Sequence, residues 1–205
     1  MNRRNVVFLV VSALGIAADQ ASKAWIRANI PAESGRGIEI IPGLFDLVYA
    51  KNPGAAFGFL RDFEYRHLVF VGFTLVAMGV VLDMVRKLRE DDRFMAFVLG
   101  LVMSGAIGNA IDRVRHRVVT DFLRFHIETP AIKNWALATF GTNEYPSFNV
   151  ADTALVVGIV LYVGYELFVG PGKKDAGAPA TRAVEPPSTT NAPPETSAPP
   201  PSSAT

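Results

Sequence analysis

Cysteine is absent from this chain of 205 residues. Its absence excludes disulfides, thiolate metal ligands and a cysteine nucleophile, and leaves the redox compartment open. Histidine is scarce: His67, His116 and His126 lie in or beside connecting loops without ligand spacing, so no metal site is expected. The chain contains neither H-E-x-x-H nor G-x-S-x-G, which removes the common zinc-hydrolase and serine-hydrolase signatures. Ser22 beside Lys23 makes a poor serine–lysine pair, because neighbours on a helix point about 100° apart. Charge is nearly balanced at net +1, so no nucleic acid partner is expected, and nothing calls for a cofactor.

Apolar residues are plentiful instead, at 50% of the chain, and they are concentrated in four runs at 6–26, 68–85, 94–111 and 150–169. Each has the roughly 18–20 residues needed to cross about 30 Å of hydrocarbon at about 1.5 Å per residue. A span must satisfy its backbone hydrogen bonds internally, so helices are expected. The fold class predicted is an all-α membrane protein with four transmembrane helices. The first run follows MNRRN and has the look of a secretory signal. However, Asp19-Gln20-Ala21-Ser22-Lys23-Ala24-Trp25 continues it without Gly or Pro, so an uncleaved first helix is expected.

Short flanks carry the orientation signal. RKLREDDR (86–93) has four basic residues in eight, and Arg3-Arg4 abuts the first run. Both point to the cytoplasm, which places both termini there and loops 27–67 and 112–149 outside; Arg113, Arg115 and Arg117 count against this. The stretch GIEIIPGLFDLVYAKNPGAAFGFL (37–60) mixes partly alternating apolar residues with Gly and Pro, which predicts a small β-rich outer lip on the membrane surface. Nine of the fourteen prolines fall at 171–205. That segment reads as a disordered cytoplasmic tail beyond a four-helix domain at 1–170.

Ionisable residues in membrane helices are costly, and here they gather at one depth. Asp19 and Lys23 stand at i, i+4 near the outer end of the first helix. Asn109 and Asp112, with Arg113 adjacent, close the third. Asn149 and Asp152 repeat the N-x-x-D spacing at the start of the fourth, and Asp121 lies in the apolar stretch VVTDFLRF (118–125), expected to lie against the membrane. Each has a structural reading: Asn149 as a helix cap with Asp152 in the first turn, Asp19–Lys23 as a surface ion pair, and Asp112–Arg113 as an internal pair. Asp121 neither caps a helix nor has an obvious local partner. Two nearby carboxylates cannot both ionise easily, so one keeps a proton while the other acts as base, enough to hydrolyse an amide without metal. Spacing alone leaves open whether Asp112 or Asp121 pairs with Asp152. It also leaves open a small ion or proton transporter, or an assembly protein whose acids only pair helices.

Four stretches resemble one known family: DQASKAW (19–25), KNPGAAFG (51–58), GNAIDRVRHRVVTDFLRF (108–125) and FNVADTALVVG (148–158). Together, in this order over about 1–170, they are similar to the bacterial lipoprotein signal peptidases (prolipoprotein, or type II, signal peptidases). The resemblance implies a multi-pass enzyme of the bacterial inner membrane with its site near the outer face. It implies an intramembrane aspartic endopeptidase that cuts diacylglyceryl-modified prolipoproteins just before the lipidated cysteine. The partners it implies are those substrates and membrane lipid, with the chain acting as a monomer. By motif, Asp121 and Asp152 are the catalytic pair, while Asn109, Asp112, Arg113 and Asn149 form the supporting polar shell. Asp19, Lys23, Asn52 and Gly54 match positions that shape the site and its lip. One departure is visible. The stretch containing HIETPAIKNWALATFGTNEYP (126–146) is longer than is usual for the family, which predicts a larger outer loop.

Overall fold

The computed structural model describes residues 2–32, 37–54 and 63–169. The expected tail at 171–205, and residues 55–60 of the expected lip, lie outside the described residues. Four helices are long and apolar enough to cross a membrane: α1 (Arg3–Asn29), α2 (Arg66–Lys87), α3 (Arg93–His116) and α5 (Val150–Phe168). Between them come β1 (Ile38–Ile41), β2 (Phe45–Asn52), β3 (Val119–Phe125) and a shorter helix α4 (Pro130–Phe140). The protein is thus a four-span helical membrane protein carrying a small antiparallel sheet, as its hydropathy requires.

Local sequence sets the helix ends. Asn2 caps α1 by accepting from Asn5 N–H, and Asp92 caps α3 by accepting from Met95 N–H. At the far end of α3, Arg117 adopts a left-handed conformation (φ 61°). This reverses the chain within two residues and starts β3 directly over the end of the bundle.

The bundle is built around α3, which packs against α1, α2 and α5. As far as Met103 it buries only apolar or glycine positions, among them Met95, Val98, Leu99 and Met103, which join Phe8, Val81 and Val85 in one core. From there on it buries Ser104, Asn109 and Asp112. The change from apolar to polar along one helix face fixes where chemistry can occur. Small residues bring the backbones close there: a Cβ at Gly105 would collide with Ala151 O, and one at Gly108 would lie 2.6 Å from Asp19 Oδ2. Close approach through small residues is how membrane helices pack without a hydrophobic drive. Outward-facing Leu14, Phe73, Val76, Val156 and Leu167 are all more than half exposed, the surface a bilayer covers.

The sheet has the order β1-β2-β3, antiparallel throughout. Two of its strands match the expected lip. VVTDFLRF, expected to lie against the membrane, forms the third strand, β3, paired with β2, with Asp121 opposite Ala50 and Val119 opposite Asn52. Ile26, Ile30 and Phe122 form a second apolar cluster that joins the sheet to α1, with Leu47, Leu123 and Val150 packed against it. The long loop contains a helix, α4, begun by Pro130 at its first turn and ended by Gly141 at φ 73°, the usual Pro-in, Gly-out pattern.

Candidate active site

Asp121 and Asp152 reach the same place by different local rules. Asp121 is set by strand register. Because Ala50 faces it across the ladder, the side chain of Asn52, two residues along, lies on the same face, and diagonal neighbours on one face are within reach. Asn52 Nδ2 donates to Asp121 Oδ2 at 2.9 Å. Its own Oδ1 accepts from Gly54 N–H at 2.8 Å, an Asx-type turn. Gly54 has φ 85°, and a Cβ there would strike the Phe70 ring, so only glycine fits.

Asp152 is set by the start of α5. Asn149 is the N-cap: its Oδ1 accepts from Asp152 N–H at 2.9 Å, and Asp152 Oδ2 accepts from Asn149 N–H at 3.1 Å. This reciprocal capping box satisfies two orphan helix donors, and it holds the carboxylate on the helix axis end. The cap sits against β3 because Phe148 O accepts from both Phe122 N–H and Leu123 N–H, at 2.9 and 2.8 Å.

Asn149 then binds both acids. Its Nδ2 donates to Asp121 Oδ1 at 2.7 Å while its backbone N–H holds Asp152. Asn109 Nδ2 donates to Asp152 Oδ1 at 2.7 Å, and Asn109 Oδ1 accepts from Asn149 Nδ2 at 3.2 Å. All four carboxylate oxygens of the pair therefore accept from an amide, and Asn149 is common to both. Burial pushes the Asp121 carboxyl up to about 6, and the negative charge of Asp152 adds to this; Asn52, Asn149 and Lys23 pull the other way.

Beneath the pair lies a buried ionic layer. Lys23 and Asp19 are both fully buried, with Nζ 2.9 Å from Asp19 Oδ2, which corrects their reading as a helix-surface ion pair. Lys23 also donates to Asn109 Oδ1 at 3.0 Å and lies 3.5 Å from Asp112 Oδ2. Asp19 Oδ1 accepts from Ala151 N–H at 3.0 Å, tying α1 to the first turn of α5. Asp112 also departs from its expected pairing. Instead of its neighbour Arg113, it engages Lys23 and Arg27 and accepts from Thr120 N–H at 2.9 Å. Arg113 turns to the face of Phe70, 5.1 Å from the ring centroid, and to Asn109 O. It remains within electrostatic reach of Asp152, Asp121 and Asp112.

All ten residues singled out from the sequence thus belong to one connected region. Sequence reasoning missed Arg27, which reaches Thr120 Oγ1 at 3.0 Å and Asp112 Oδ1 at 3.4 Å. The signal was available: 19, 23 and 27 fall on one helix face at successive i+4 steps. It also missed Thr120, whose backbone role depends on the strand pairing.

A family model described as signal peptidase (SPase) II matches residues 11–168. A lipoprotein signal peptidase of Geobacter metallireducens is 42% identical over 155 residues, covering 76% of this chain and 86% of the relative. One from Oleidesulfovibrio alaskensis is 40% identical over 160 residues, covering 77% and 92%. A solved structure described as a bacterial membrane enzyme, at 1.9 Å, superposes with a TM-score of 0.65 at 25% identity, covering 79% of this chain and 93% of that one.

Proposed function

From the premise that this chain belongs to the signal peptidase II family, we propose that it is an intramembrane aspartic endopeptidase of the bacterial inner membrane. It removes signal peptides from diacylglyceryl-modified prolipoproteins, cutting before the lipidated cysteine. Asp121 and Asp152 share one proton. The observation that carries this reading is Asn149, which binds one carboxyl through its side chain and the other through its backbone.

The charge count supports a shared proton. Around the site Asp19, Asp112, Asp121 and Asp152 face Lys23, Arg27 and Arg113. Four carboxyls against three cations balance when one carboxyl is protonated, and in a low-dielectric site imbalance is costly. In the reaction the ionised member takes a proton from water, whose oxygen attacks the scissile carbonyl carbon. The protonated member gives its hydrogen to the carbonyl oxygen. Collapse of the tetrahedral intermediate breaks the C–N bond, and a carboxyl proton passes to the leaving nitrogen. Asn52, Asn109 and Asn149 hold the carboxyl planes throughout.

The arrangement at the other end supports the proposed orientation. Arg4 donates to Leu88 O, and Asn2 Nδ2 lies 3.3 Å from Glu90 Oε1. The N-terminus and the basic α2–α3 connection therefore share the end opposite the sheet, which suits the cytoplasm. In this reading the working unit is a monomer with a peptidase domain of 1–170. An ion path would need polar groups through both halves of the bundle. Among the described residues, the only buried polar side chains below the site are Ser12 and Ser104.

The test uses full-length protein in lipid with paired precursor peptides that differ only in the diacylglyceryl group on cysteine. Cleavage is expected immediately before the lipidated cysteine, with the unmodified precursor at least about 100-fold slower, since each buried methylene contributes about 0.8 kcal/mol. Equal rates, or cleavage elsewhere, would remove the lipid from the specificity. A second expectation concerns pH. With one proton shared, kcat/KM falls as pH rises and the pair loses that proton, near the value of about 6 for Asp121. Asn52 stabilises the charged form, so Asn52→Ala lets the carboxyl hold its proton longer. Its alkaline limb should move up by about one unit. A limb that stays put or moves down would detach Asp121 from the titration.

A further inference from the structure

The long excursion between β3 and α5 is closed on itself and carries an apolar helix that the body of the protein hardly covers. Its neck is pinned by Ile127 N–H to Asn143 O at 3.0 Å and by Tyr145 N–H to Phe125 O at 2.9 Å. Of the eleven residues of α4, only Ala136 is buried. An isolated helix of that length is marginal in water, so packing within the protein does not account for it. Ile132, Trp135, Ala136, Thr139 and Phe140 fall at i, i+3, i+4, i+7 and i+8, which is one face. Ile132 is 47%, Trp135 58% and Phe140 67% exposed. Trp135 and Phe140 touch edge to face at 5.5 Å, so the patch is continuous.

Two features say what covers it. The helix contains no acidic residue, and its one charge, Lys133, is held 2.7 Å from Glu128. The patch is therefore apolar with no free charge, unlike a surface meant for water. It is also tethered beside the end of a spanning helix. The excursion leaves from Phe125 and returns at Phe148, the residue beside the cap of spanning helix α5. Its first residues are bound to the β1–β2 turn, through His126 N–H to Leu44 O and Glu128 N–H to Gly43 O. Leu44 and the neighbouring Ile40 and Ile41 are themselves 44–50% exposed. Exposed apolar residues thus lie on the β1–β2 turn that the excursion is bound to as well as on α4.

We propose that α4 is an interfacial helix seated in the leaflet on the active-site side, with Ile132, Trp135 and Phe140 among the acyl chains. Tryptophan at the headgroup boundary and a flat apolar face are what such helices use. Because α4 continues directly from the strand that carries Asp121, seating it presses the sheet onto the bilayer and fixes the depth of the site.

The chain has two tryptophans, so Trp25→Phe leaves Trp135 as sole reporter in the full-length protein. Reconstituted in phosphatidylcholine vesicles, its emission should fall about twofold or more with lipid brominated high on the acyl chain, and respond little to aqueous iodide. Adding Ile132→Asp and Phe140→Asp should reverse the two responses. Quenching by iodide rather than bromolipid would overturn the proposal. So would protection from both, the sign of a protein covering the patch, and so would bromolipid quenching unchanged by the two aspartates. The readout does not depend on cleavage, so it stands or falls apart from the catalytic assignment.

Discussion

Asp121→Asn and Asp152→Asn should each reduce cleavage of a lipidated precursor by about 10³–10⁴-fold, while the protein still folds and inserts. General acid–base catalysis contributes about 10²–10⁴, and each variant removes the shared proton as well as one partner. Residues that act as a unit are not additive, so the double variant should be no slower than either single one. Retention of fold follows from the hydrogen bonds. Asn at 121 can still accept from Asn149 Nδ2 through Oδ1, and Asn at 152 can still accept from Asn149 N–H. Each variant leaves one amide facing a former donor, Asn52 Nδ2 or Asn109 Nδ2. That costs about 1–3 kcal/mol, which the rest of the bundle can absorb.

Asp112→Asn provides the contrast. Asp112 is fully buried, and its bonds run to Lys23, Arg27 and Thr120 N–H rather than to the capping box. Its replacement should lower the melting temperature in detergent more than the other two do, with far less loss of turnover per folded molecule. Turnover that falls with Asp112→Asn as far as with Asp121→Asn, at equal folded yield, would reopen the question of which carboxyl pairs with Asp152.

What sequence made legible, and what it did not, divides along the range of the interactions. The four spans are set by hydropathy summed over about 20 residues, and they appear where expected. The N-x-x-D spacing at Asn149 and Asp152 is a local capping rule, and the capping box is there. Residues 37–60 alternate in part, enough to announce short strands, and β1 and β2 are there. β3 was not legible, because VVTDFLRF follows closely on the third span and its apolar residues suit a membrane-surface segment as well as a strand, and only its pairing with β2 makes it a strand. Burial of Asp19 and Lys23 was hidden for a similar reason. An i, i+4 pair looks the same on a surface as in a core, and what covers this one is Gly108 and Asn109 of α3. The helix in the long loop was missed because eleven residues are too few to span a membrane and its apolar face has almost no protein against it.

Lys23→Met should have the largest effect on stability. Lys23 is fully buried, and it stands between Asp19 at 2.9 Å and Asp112 at 3.5 Å. Removing the cation leaves two buried acids facing each other, and breaking a buried pair in this way costs about 3–5 kcal/mol. The expected result is little folded protein in detergent, and a melting transition far below that of the parent where any is recovered. Lys23→Arg should not substitute, because a planar fork does not fit a space shaped for one compact ammonium. The distinguishing measurement is a cycle. If the penalty comes from uncompensated charge, Lys23→Met with Asp19→Asn should be more stable than Lys23→Met alone, with a coupling of about 1–3 kcal/mol. Asn at 19 can keep the bond from Ala151 N–H that joins α1 to α5, so the rescue does not have to rebuild that contact. Additive losses in the cycle would mean that Lys23 acts by filling space, and the ionic layer beneath the two acids would no longer explain how Asn109 is held in place.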